Sequence, residues 1–115
     1  MFQQLNEFRY KAKTGKDYII YFLKFFPSPN KKNEYIIKYQ IRTGDKDLVW
    51  YGRASKSVAS SLFNKKIKKG EDFEEDFKKL FVYLIKKGLD KGFEETNIEF
   101  VFSQDGSIVK QKWSG

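Results

Sequence analysis

Arg9, Lys11 and Lys13 take every second position of NEFRYKAK, with Phe8, Tyr10 and Ala12 between them. In an extended strand this spacing puts the cations on one side and the apolar and aromatic side chains on the other. The same reading places Lys24, Lys38, Arg42 and Arg53 on the basic side with Tyr18, Phe22 and Tyr51, and only Glu7 and Glu34 as acids. Cations that follow phosphates, interleaved with rings that stack on bases, are what sequence-tolerant binding of a single nucleic-acid strand requires. A second basic group lies in KSVASSLFNKKIKKG, whose five charges are all lysine. There Lys65, Lys66, Lys68 and Lys69 surround Phe63 and Ile67, giving a helix an apolar side for the core and a basic rim for backbone phosphates.

Enzymatic chemistry finds fewer candidates. The chain has no histidine and no cysteine, so the commonest general base is missing and no disulfide or thiolate metal site can form. Glu71, Asp72, Glu74, Glu75 and Asp76 cluster, but at a helix start, where the dipole favours acids. No glycine-rich phosphate loop, paired-histidine motif or nucleophile elbow occurs. The expectation is a non-enzymatic binding protein without metal or cofactor.

Lys plus Arg number 23 against 15 Asp plus Glu, a net charge of +8. The excess is uneven: 11 bases to 5 acids over residues 1–54, 5 to none over 55–69, 5 to 8 over 70–96, and 2 to 2 beyond. A basic chain favours acidic partners, nucleic acid first and an acidic protein surface second. No window approaches the roughly 18 apolar residues of a spanning helix, and Met1 to Asn6 lacks the apolar run of a signal peptide. A cytoplasmic protein with no membrane partner is expected.

The 115 residues, 40% hydrophobic, suit one globular domain over residues 1–115. NEFRYKAK predicts a half-buried strand, and TGKD a turn. DYIIYFLKFF is a second strand, apolar on both faces; the neighbouring patterns put Ile19, Tyr21, Leu23 and Phe25 under the helices and leave Tyr18, Ile20, Phe22 and Phe26 with the bases. EYIIKYQIRT directs Tyr35, Ile37, Tyr39 and Ile41 inward. LVWYGRA, Leu48 to Ala54, makes a fourth strand. Ser55 or Ser57 caps a helix that Gly70 stops or bends. EDFEEDFKKLFVYLIKKG carries a capping-box spacing at Asp72 and Glu75, an apolar stripe of Phe73, Phe77, Leu80, Phe81, Leu84 and Ile85, and Gly88 as its left-handed stop. NIEFVFS and SIVKQKW flank QDG as a closing hairpin. The order ββββααββ predicts an α+β domain, an antiparallel meander with one or two helices on one face. Its unpaired edges leave room for a homodimer.

Tyr35-Ile36-Ile37 and Trp50-Tyr51-Gly52, followed by a helix, resemble the layout of GIY-YIG nucleases over at most the latter two thirds of the chain. The resemblance implies a nuclease-like domain, but SSLFNKK fills the helix position where that family carries its catalytic arginine, and no arginine follows Arg53. It therefore implies an inactive or divergent member, and stands third. The second reading is a small protein inhibitor of the immunity or phage anti-defence type. Trp50, Tyr51, Phe93 and Trp113 would be its contact aromatics. First stands single-stranded DNA or RNA binding.

Overall fold

Alternation in the first half of the chain builds strands that pair with their sequence neighbours. The computed structural model describes residues 6–58, 73–103 and 105–114. β1 (Glu7–Lys11), β2 (Asp17–Pro27), β3 (Glu34–Thr43) and β4 (Lys46–Ser55) form an antiparallel meander. Gly15 and Gly44 adopt positive φ in its tight turns, a region that residues with a side chain rarely enter. After the helix, β5 (Ile98–Phe102) pairs parallel to β4, and β6 (Ile108–Lys112) returns antiparallel to β5. The result is a six-stranded mixed sheet in sequential order, β1 to β6.

Ser55 caps the helical turn Lys56–Val58 by accepting the Val58 N–H at 3.2 Å. Gly70, Asp72 and the lysine-rich run Lys65, Lys66, Lys68 and Lys69 lie outside the described residues. α1 (Phe73–Asp90) has Glu74, Glu75 and Asp76 in its first turn and Lys87 in its last, as the helix dipole favours. Phe77, Leu80, Phe81 and Ile85 are buried against the sheet, and Phe73 and Leu84 pack at its margin.

The helix does not stop at Gly88. Gly88 lies inside it, where a Cβ would come within 3.1 Å of both Trp50 and Phe93. The stop is Gly92, with positive φ; its N–H bonds the Leu89 carbonyl and the Phe93 N–H bonds the Gly88 carbonyl. That is the paired ending of a Schellman motif. KKGLDKG holds two glycines, and helix–sheet contact takes the first for close approach.

β2 contains a further correction. Tyr18, Ile20 and Phe22, expected on the basic face, lie on the helix face: Tyr18 and Ile20 are buried in the core, and Phe22 meets Tyr39 edge to face at 5.5 Å. Ile19 and Tyr21 point the other way, opposite Arg42 and Gln40. The register slips between Phe22 and Lys24. Beyond this bulge Phe25 is again under the helix, against Phe73 and Phe77, while Leu23 is 45% exposed. One extra residue reverses the parity of everything after it.

Gly52 sets how closely α1 approaches. A Cβ there would lie 2.8 Å from the Phe81 ring and 2.9 Å from Ile37. Gly52→Ala should destabilise the fold by about 1–3 kcal/mol through overpacking. Urea unfolding monitored by tryptophan fluorescence would measure it; an unchanged midpoint would contradict this seating.

Candidate nucleic-acid interface

The face opposite α1 carries no described helix, and the registers define its rows. One row reads Arg9, Ile19, Arg42 and Asp47; the next Glu7, Tyr21, Gln40 and Val49. Past the bulge come Lys24, Lys38, Tyr51, Glu99 and Gln111, then Phe26, Ile36, Arg53, Val101 and Val109. Arg9, Lys11, Lys24, Lys38, Arg42, Tyr51 and Arg53 thus share one face as expected. Lys13 sits in the β1–β2 turn, its backbone N–H donating to Asp90 Oδ1 at 2.9 Å.

Two of these cations are already engaged. Arg53 donates through Nε to Glu99 and through Nη1 to Glu34, each at 3.0 Å. Its side chain is 14% exposed and that of Glu99 only 3%. Burial works against the charge, but the two carboxylate bonds outweigh it and raise the guanidinium pKa. Gln111 donates to the other Glu99 oxygen. Arg42 donates to Asp47 at 2.9 Å, which raises its own pKa and lowers that of Asp47. Arg53 is therefore a clamp between carboxylates, and its assignment as a phosphate neutraliser gives way to this role. Asp17, opposite Lys11, together with Asp47 and Glu99, adds three acids to the face beyond Glu7 and Glu34.

The aromatic set also changes. Phe22 is no open platform: it lies on the helix face with Lys78 Nζ 3.9 Å from its ring centre. Tyr51 is on the expected face, but Trp113 stacks on it at 3.7 Å and 3°, leaving it 7% exposed. Arg53 also lies 5.4 Å from the Trp113 ring. Trp50 is fully buried, and Phe93 packs beside it. The rings available on the open face are Tyr21, Phe26 and the outer side of Trp113, each half-buried. Sequence alone could not place Trp113 there, because it depends on the long-range pairing of β4 with β5.

What remains is a basic surface on the β1–β3 half. Among the described residues Arg9, Lys11, Lys24 and Lys38 form no ion pair. Arg9, Lys11 and Arg42 line a shallow cavity of about 360 Å³ with Ile19 and one acid, Asp17, at the Gly44 end. Lys24 and Lys38 stand directly opposite each other on β2 and β3. Lys24 lies 4.9 Å from the Phe26 ring and Lys38 5.5 Å from the Tyr51 ring. Facing like charges repel, and no described carboxylate bridges this pair. At about 3.3 Å per residue, the five residues from Ile19 to Lys24 separate the two basic groups by about 16 Å, with Tyr21 between them.

Among the described residues no group of three or more acidic, histidine or cysteine side chains is placed to hold a metal. Tyr35-Ile36-Ile37 and Trp50-Tyr51-Gly52 lie on paired strands, with Ile37 opposite Gly52; the SSLFNKK segment is outside the described residues. The chain matches no known family, curated protein or solved structure.

Removing Arg53 would strand Glu34 and Glu99. Arg53→Met should cost about 3–5 kcal/mol, as breaking a buried pair does. Arg42→Met breaks a pair whose two side chains are 51% and 43% exposed and should cost far less. Chemical denaturation of both variants tests the contrast; equal losses would show that Arg53 is no clamp.

Proposed function

We propose that the protein binds single-stranded DNA or RNA without catalysis, through the face of β1, β2 and β3 opposite α1. The facing pair Lys24 and Lys38, two cations with no described carboxylate between them, carries this reading. A phosphate placed between them would turn a repulsion into two charge-assisted hydrogen bonds. Arg9 and Lys11 supply the second point of backbone contact. Tyr21, between the two groups, and Phe26 are the stacking surfaces, with the outer side of Trp113 beside Lys38 by way of Tyr51. Among the described residues this face offers no groove-reading helix, so the contacts are to backbone and base planes and carry little sequence information. Lys65, Lys66, Lys68 and Lys69 belong to the proposal as a basic rim on the sequence pattern alone.

Fluorescence anisotropy with labelled single-stranded and duplex oligonucleotides tests the reading. One phosphate at the Lys24–Lys38 pair and one each at Arg9 and Lys11 predict a log–log salt slope near −2 for single strands. Lys24→Glu with Lys38→Glu should reduce affinity about tenfold or more and flatten the slope by about 0.7 or more. No binding at low salt, or binding indifferent to salt, would refute the proposal. A larger loss from reversing Lys65 and Lys66 would move the contact to the rim.

A further inference from the structure

The sheet ends in two different free edges. Along β6 the Ser103 N–H bonds the Ser107 carbonyl at 2.9 Å, and the Trp113 N–H bonds the Asn97 carbonyl at 2.8 Å. The register between them pairs Phe102 with Ile108 through Ile98 with Lys112. Bonded and non-bonded pairs alternate in an antiparallel ladder, so Val109 and Gln111 bond inward to β5. Ile108, Lys110 and Lys112 therefore turn their backbone N–H and C=O groups to the free edge. Every residue of β6 is exposed, Ile108 by 41% and Val109 by 49%.

Beside this edge, between β6 and α1, runs an apolar cleft. Phe100 and Phe102 line it from β5, Leu84 from α1 and Ile108 from the edge itself, in two connected parts of about 310 and 110 Å³. Lys87, Lys91 and Lys110 stand around it, and no described acid lines it. Lys110 is held by Glu95 at 2.8 Å; Lys87, Lys91 and Lys112 form no ion pair among the described residues. The edge itself carries the next lysine, Lys112.

We infer that β6 is a docking edge for an extended, acidic segment of a partner protein, which adds a seventh strand to the sheet. Backbone groups of Ile108, Lys110 and Lys112 supply its hydrogen bonds. Its alternate side chains fall into the cleft and against Val109, the two-sided reading of strand addition. Charge selects the occupant. A second copy of this chain paired through the same edge would bring the two sets of lysines together, whereas glutamates or aspartates on the incoming strand meet Lys91 and Lys112. At the opposite edge, by the same alternation, starting from the Ala12 N–H to Lys16 carbonyl bond, the outward backbone groups of β1 belong to Glu7, Arg9 and Lys11, and Glu7 would repel an acidic strand.

The test uses the full ¹⁵N-labelled chain and a short synthetic peptide of alternating valine and glutamate, with a valine–lysine peptide as control. The acidic peptide should bind and slow amide exchange at Ile108, Lys110 and Lys112, with little effect at residues already bonded inward. Lys110→Pro removes one outward N–H without breaking the β5 ladder and should weaken binding about tenfold, while Lys110→Ala keeps most of it. Ile108→Glu, at an exposed site, gives a second variant that should repel the peptide even if the proline variant folds poorly. Lys24→Glu with Lys38→Glu should leave peptide binding unchanged, separating this edge from the nucleic-acid face. Failure of the acidic peptide to bind, equal binding of the basic peptide, or unaltered binding by Ile108→Glu would overturn the inference. So would a dimer in sedimentation that Ile108→Glu dissolves, which would assign the edge to self-pairing.

Discussion

The approach of one helix to one glycine governs this structure. α1 lies close to the sheet because Gly52 has no side chain where the Phe81 ring sits, and the sheet reciprocates at Gly88, where Trp50 fills the space on the helix. Each glycine gives up some backbone stability of its own. The return is a tightly packed interior in which Phe81 reaches both Tyr39 and Phe100, joining β3 and β5 across β4. Burial around Tyr39 pushes its hydroxyl pKa up, with Glu75 and Glu74 adding to the effect. With the apolar side chains of α1 spent on one face, the other mixes charged residues with apolar ones such as Phe26, Ile36 and Val101.

That opposite face is organised by a buried charge cluster. Arg53, Glu34 and Glu99 draw residues from three segments to one point, and the Trp113–Tyr51 stack covers them. A pair so placed gives little net stability against an apolar alternative, but it penalises wrong registers heavily, because any slip strands a buried charge. It also divides the face. The β4–β6 half is neutralised internally, while the cations of the β1–β3 half, Arg42 apart, form no ion pair among the described residues, so the local charge that bears on partners is sharper than the net of +8 suggests.

Much of the architecture was legible in the sequence, and the failures have particular causes. β3 was readable because polar and apolar residues alternate without exception after Ile37, so only one face could be buried. β2 was not, because apolar side chains occupy both parities and the bulge at Leu23 leaves no mark of its own. The apolar stripe of α1 was plain, yet its end was misplaced because a helix-stopping glycine and a close-packing glycine look the same in one dimension. The shared face of Arg9, Lys11, Lys24, Lys38, Arg42 and Arg53 was legible, but Lys13 falls in the turn instead and the availability of Arg53 was hidden: Glu99 meets it only through the parallel joint of β4 and β5. Trp113 reached the site by the same route. A sheet's local patterns are written along each strand, whereas neighbours across a long crossover are not.

The parallel joint also has a consequence in time. β1 to β4 can pair through short turns as soon as the first 58 residues exist, whereas β5 meets β4 only after the intervening chain and α1 are in place. Contacts closing long loops form late. Until then β4 is an outer strand, and Trp50, later fully enclosed, lacks the Phe100 and Phe93 rings that cover it. On a ribosome, where the amino-terminal part emerges first, this half-sheet would be the species exposed to chaperones or to misplaced strands. The chain's vulnerability in synthesis thus lies at the strand that becomes the most protected in the finished molecule.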